Sequence, residues 1–129
     1  MCIRDRLTMD AKKKIKEGVQ LYFDSMYESD PEKVREAFYP NAMITGYLET
    51  GLAEMTVDQF ADFVESQNPS PKEKGDEVLL EIISCDVAGS TASVTVRDAY
   101  IGHVFLDTLS FLEKNGEWKI YNKLFHVES

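Results

Sequence analysis

The stretch Arg97–His126, RDAYIGHVFLDTLSFLEKNGEWKIYNKLFH, reads as two tight hairpins sharing a central strand. Asn115-Gly116 between apolar runs is the strongest short-range hairpin signal. Gly102-His103, with glycine leading a two-residue loop, suits a type II′ turn. Such loops set the register, so facing residues follow by counting. Asp98 is expected to face Asp107, Tyr100 to face Phe105, and Val96 to face Leu109. Across the second turn, Phe111 is expected to face Ile120, Leu109 to face Asn122, Asp107 to face Leu124, and Phe105 to face His126. The period of two places these residues on one side, which is mostly apolar and therefore the core side. Asp98, Asp107, Asn122 and His126 sit within it. Polar groups there need partners, because burying them bare costs free energy. A β-bulge would exchange the faces of one strand and undo part of this pattern.

Upstream, Glu77–Val87 reads as a long apolar strand that turns at Gly89-Ser90 into Thr91–Ile101. The same counting puts Val87, Cys85, Ile83 and Glu81 on the core side. Val78, Leu80 and Ile82 then form an apolar outer patch beside Tyr121 and Phe125. We read that patch as a homodimer surface, with a face-exchanging bulge as the alternative. Before these strands, Ile15, Val19, Tyr22, Phe23, Met26 and Tyr27 recur at helical steps, predicting an amphipathic helix over residues 10–28. Lys12, Lys13, Lys14 and Lys16 form its solvated side. Asp30-Pro31 opens a second helix as N-cap and first residue, carrying Val34, Ala37 and Phe38 and ending before Pro40. Residues 42–48 read as a strand in which Gly46 marks a bulge or a close approach. A turn at Thr50-Gly51 leads to a short edge strand. Thr56 and Gln59 form a capping box that opens a third helix with Phe60, Phe63 and Val64. Residues 67–76 form a connector. The predicted class is α+β: a cone-shaped, curved, mixed but mostly antiparallel sheet with three N-terminal-half helices on its concave face.

At 129 residues the chain holds one domain with one core. Its net charge of −9 opposes a nucleic-acid partner or an anionic membrane surface. No apolar run is long enough to span a bilayer. Met-Cys-Ile-Arg-Asp-Arg at the start matches a translated sequencing-adaptor end. Residues 1–8 are therefore expected to be a non-native leader from adaptor read-through, with the single domain over 9–129. That leaves Cys85 as the one native cysteine, a small core residue in a reducing, cytoplasmic setting. The histidines and acids have no metal-ligand spacing, so no metal and no cofactor are expected.

Several stretches carry a family resemblance: Tyr22-Phe-Asp-Ser-Met-Tyr, Ser29-Asp-Pro-Glu-Lys-Val, Ala37-Phe-Tyr-Pro-Asn-Ala, Arg97-Asp98, and Trp118-Lys-Ile-Tyr-Asn-Lys-Leu-Phe-His126. With the predicted element order they resemble the nuclear transport factor 2-like superfamily, in the branch called putative lumazine-binding or polyketide-cyclase-like (SnoaL-like). The resemblance covers Asp10–His126. It implies a pocket at the mouth of the cone for a small organic molecule, and a dimer, in a bacterial protein. It does not imply a reaction, because fold does not decide function. Val19-Gln-Leu-Tyr22 resembles steroid isomerases, whose tyrosine there donates to an oxyanion. Their general-base aspartate falls at Gly46 here, which cannot take a proton. An Asp-Arg-Asp relay like that of epoxide hydrolases would need Arg97, which points away from Asp98.

The expected ligand-binding residues are Tyr22, Tyr47, Asp98, Tyr100, Asp107, Trp118, Asn122 and His126. Asp98 opposite Asp107 would share a proton if buried, with Glu81 extending the row. His126, oriented by Asp107, is a candidate general base, and Tyr22 a donor. His103 and the outward Lys119 and Lys123 are expected in solvent or at a dimer rim. The leading expectation is a small-molecule-binding protein. The alternatives are a cofactor-independent acid–base enzyme of isomerase, cyclase or dehydratase type using His126 and Asp98/Asp107, and an interaction domain using the outer sheet face.

Overall fold

The computed structural model describes residues 3–129, with side chains from Met9 onward. Cys2 and the other leader side chains lie outside the described residues. Helix α1 (Ile3–Tyr27) and α2 (Pro31–Ala37) precede β1 (Phe38–Leu48) and β2 (Gly51–Thr56). Then follow α3 (Val57–Glu65), the one-turn α4 (Pro71–Lys74), β3 (Leu80–Ala88), β4 (Thr91–Tyr100), β5 (His103–Lys114) and β6 (Glu117–Val127). The six strands form one curved sheet in the order β2-β1-β6-β5-β4-β3. Only β1 and β6 run parallel. The helices cover the inner face with Ile15, Val19, Tyr22, Val34, Phe60 and Val64, all buried. Asp30 caps α2 by accepting from Glu32 and Lys33, and Thr56 and Gln59 complete their capping box. β1 begins earlier than the sequence pattern suggests, at Phe38, and carries Pro40 through a register irregularity before Met43.

The register differs from simple counting at three places. The β4–β5 turn is Ile101-Gly102, not Gly102-His103, and both residues have positive φ, 44° and 84°. That matches a type I′ turn. For a β-branched residue such a φ is strained, at a cost of about 1–3 kcal/mol. The Ile101 side chain packs against the core in return. Asp98 therefore faces Phe105, and Asp107 faces Val96. The slip is two residues, so both acids stay on the inner face, as diagonal neighbours rather than an opposed pair.

The other two differences are bulges. One extra residue enters β6 at Tyr121, between the Phe111–Ile120 and Ser110–Asn122 pairs. Beyond it the faces exchange: Asn122, Leu124 and His126 turn outward, while Lys123 and Phe125 turn inward. A second bulge lies in β3 at Ile83. Leu80 and Ile82 consequently join the core, whereas Glu81 and Ile83 point outward. The outer patch expected from Val78, Leu80, Ile82, Tyr121 and Phe125 is thus not formed, since three of its members face inward. Bulges of this kind bend a sheet and increase its twist, which wraps these strands around the helices.

Gly46 is a close-approach point, in register with Phe125. A Cβ there would lie 2.4 Å from the Phe125 carbonyl oxygen and 2.5 Å from its ring. Gly46→Ala is expected to destabilise the fold by about 1–3 kcal/mol, read as a lower urea midpoint with an unchanged slope.

Candidate functional site

Four elements each send one polar side chain into the interior: Tyr22 from α1, Asp98 from β4, Asp107 from β5 and Lys123 from β6. Their exposures are 0%, 1%, 0% and 5%. The Tyr22 hydroxyl donates to Asp107 Oδ2 at 2.8 Å. Asp107 Oδ1 and both oxygens of Asp98 have no hydrogen-bond partner among the described residues. Lys123 Nζ lies 4.7 Å from the ring centroid of Tyr22 and 4.7 Å from that of Phe60, with Phe125 at 5.8 Å. It makes no ion pair among the described residues.

Burial, and next the neighbouring Asp107, pushes the Asp98 carboxyl up to about 9, with Lys123 pulling more weakly in the opposite direction. Asp98 thus keeps its proton at neutral pH. That proton makes one of its oxygens a donor toward the neighbouring Asp107 carboxyl. One Asp98 oxygen and the Lys123 side-chain nitrogen then still lack partners. Burial, reinforced by the two acids, holds the Tyr22 phenol well above its ordinary range. It is therefore a hydrogen-bond donor at any working pH.

The other expected site residues divide between places. Tyr100 occupies the next inward position after Asp98 and is 8% exposed. Its hydroxyl has no partner among the described residues, and burial raises its pKa. Its ring meets Phe63 edge-on and lines a depression of about 530 Å³ with Tyr27, Pro71, Asp76, Ile101 and Val104. Trp118 lies at the opposite end of the sheet, in a depression of about 620 Å³ with Asp10, Lys14 and Gly116. Neither depression is lined by Asp98, Asp107 or Lys123. Tyr47 is 72% exposed on the outer face. Asn122 and His126 are also outward, so His126 does not meet Asp107. Arg97, outward as counted, binds Glu81 and Glu128 and joins no relay with the acids.

Lys123 is the member of this cluster that counting had turned outward. Its signal was present. The apolar positions of β6 switch parity between Ile120 and Phe125, which a straight strand with one buried face does not do.

Two outcomes follow from this geometry. A carboxyl raised in the folded state binds more protons folded than unfolded between the two pKa values. Its contribution is full below about pH 4, the unfolded range, and is lost as pH rises toward 9. Asp98→Asn should therefore raise unfolding free energy near pH 8 by on the order of 1–3 kcal/mol and change it little near pH 4. Urea titrations at both pH values check this. Tyr22→Phe removes the donor to Asp107 and should cost about 1–3 kcal/mol, measured the same way.

Comparison with known proteins agrees with this architecture. Aldolase FrzH from Cladobotryum sp is 22% identical over 105 residues, spanning 81% of this chain and 82% of that one. The crystal structure of an NTF2-like protein of unknown function from Silicibacter pomeroyi DSS-3 superimposes with a TM-score of 0.85 at 23% identity, covering 94% of this chain and 98% of that one. One from Shewanella baltica OS155 gives 0.82 at 24% identity, covering 94% and 96%. The family model described as "Putative lumazine-binding" matches residues 10–126. The chain belongs to that putative lumazine-binding family and has the nuclear transport factor 2-like fold.

Proposed function

We propose that this chain binds a modestly sized, apolar or aromatic organic molecule inside the cone and acts on it by acid–base chemistry. The observation that carries this reading is the buried Asp98/Asp107 pair: only Asp107 Oδ2 is bonded by another side chain, and even with a proton shared between the two acids one Asp98 oxygen has no protein partner. Evolved interiors satisfy buried polar atoms, so a missing partner points to a ligand's polar end. Asp98 as proton donor and Asp107 as acceptor offer both roles that proton transfer needs. Tyr22 holds Asp107 in place. A relative described as an aldolase supports the chemical direction, since aldol chemistry removes a proton beside a carbonyl. The depression at Tyr100 is the proposed entrance, because Tyr100 lines it and adjoins Asp98 in the inward row. No metal or cofactor is assigned to the reaction, which needs only proton transfer.

Benzylacetone, an apolar aromatic ketone with exchangeable protons beside its carbonyl, tests the reading. In deuterated buffer the protein should accelerate deuterium uptake by this ketone. Asp107→Asn should lower that acceleration by about 100- to 10,000-fold. Native mass spectrometry of protein purified from cells should release a bound small molecule. A stoichiometric ligand with no exchange activity would instead favour a pure binding protein.

We further propose that the chain pairs with a second copy through the β2-β1-β6 side of the outer face. Met43, Tyr47, Leu52 and Leu124 are 36–72% exposed there. Tyr47 pairs with Leu52, and Thr45, two residues along β1, pairs with Leu124, so the apolar groups adjoin. Leu124→Lys should convert a dimer to a monomer in analytical ultracentrifugation, and an unchanged wild-type monomer would refute the assignment. The free Cys85 and the acidic charge fit a reducing cytoplasmic location without a nucleic-acid partner.

A further inference from the structure

Lys123 is the one lysine among the buried side chains of the described residues. Its stem is turned inward by the Tyr121 bulge, a device that re-aims side chains near functional sites. Its amine rests among the faces of Tyr22, Phe60 and Phe125 instead of against a carboxylate. A buried lysine kept for stability alone is normally paired with an acid. Here the acids are close, with Asp107 the diagonal neighbour of Lys123 across β5–β6, yet no ion pair closes. We propose that Lys123 is a nucleophilic amine that forms an imine with the carbonyl group of a ketone or aldehyde substrate, using Asp98 and Asp107 to move the protons. The proposal rests on the acid–base reading above and names its substrate class.

With Asp107 one diagonal step away across β5–β6 to take a proton, Lys123 can attack as the free amine. Its lone pair then bonds to the carbonyl carbon while the carbonyl oxygen takes the Asp98 proton. The nitrogen loses a proton to the pair, and the hydroxyl leaves as water on reprotonation. The nitrogen lone pair closes the C=N bond. Nothing is oxidised or reduced, and the balance is one neutral amine, one carbonyl and one proton from the carboxyl pair to one iminium and one water. The iminium then acidifies the adjacent carbon for deprotonation by the same carboxyl pair.

The test is reductive trapping of the native protein with benzylacetone and sodium cyanoborohydride, which delivers hydride to the iminium carbon. The adduct is mapped by peptide mass spectrometry, and deuterium uptake by the ketone is followed in parallel. The expected result is an adduct at Lys123 ahead of the exposed Lys12, Lys13 and Lys16, lost in Lys123→Arg together with deuterium uptake. Circular dichroism of Lys123→Arg verifies folding, and the mapping on wild-type protein stands without the variant. Label on exposed lysines alone overturns the proposal. If deuterium uptake nevertheless occurs, the acid–base reading stands and the imine fails. If uptake is absent too, both fail. An adduct at Lys123 without uptake supports the imine and removes the acid pair from proton transfer.

Discussion

The extra residue at Tyr121 is the constraint on which the interior depends. Before it, β6 sends Trp118 and Ile120 toward the helices; after it, Lys123 and Phe125 take that side. A straight β6 would bury Asn122, Leu124 and His126 instead. It would place an imidazole beside Asp107 and leave an ammonium in solvent. One added residue thus selects both the chemistry of the core and the texture of the outer face. The mirrored bulge in β3 at Ile83 completes the bend at the far edge. Together they curve the sheet enough for α1 and α3 to lie inside it.

Packing around the bulge explains why the arrangement holds. Phe125 enters the space that Gly46 leaves empty on the neighbouring strand, where any larger residue would meet its backbone. Phe38 and Phe60 contact each other edge-on at 5.9 Å, and Phe38 meets Tyr22 likewise at 6.0 Å. These rings form an apolar wall around four polar side chains that are at most 5% exposed. Inside such a wall a carboxyl is more stable with its proton than without it. The displaced titration of Asp98 is therefore a consequence of the fold, independent of any ligand. It also means that the site carries an energetic cost at neutral pH, as functional sites commonly do.

Much of this was legible before the fold was known. Asp30-Pro31, the Thr56/Gln59 capping box and Asn115-Gly116 all act where they were read, because caps and tight turns are set by a few adjacent residues. The inward placement of Asp98 and Asp107 also survived, since the misassigned first turn slipped the strands by an even number. Asn122, His126 and Lys123 were misplaced because a one-residue insertion reverses every side chain beyond it. The parity switches from Leu80 and Ile82 to Cys85 and Val87, and from Ile120 to Phe125, mark both bulges in retrospect. Either could equally have been a strand with two apolar faces.

By itself the sequence determined the α+β class, the starts of α2 and α3, the Gly89-Ser90 and Asn115-Gly116 turns and the family, all of which follow from local chemistry or from matched motifs. Only the tertiary structure decided which polar residues meet. Tyr22 reaches Asp107 across 85 positions of chain, and Lys123 turns inward because the sheet must bend around the helices. Bending is a property of the whole sheet packed on its core, and no short stretch of residues encodes it.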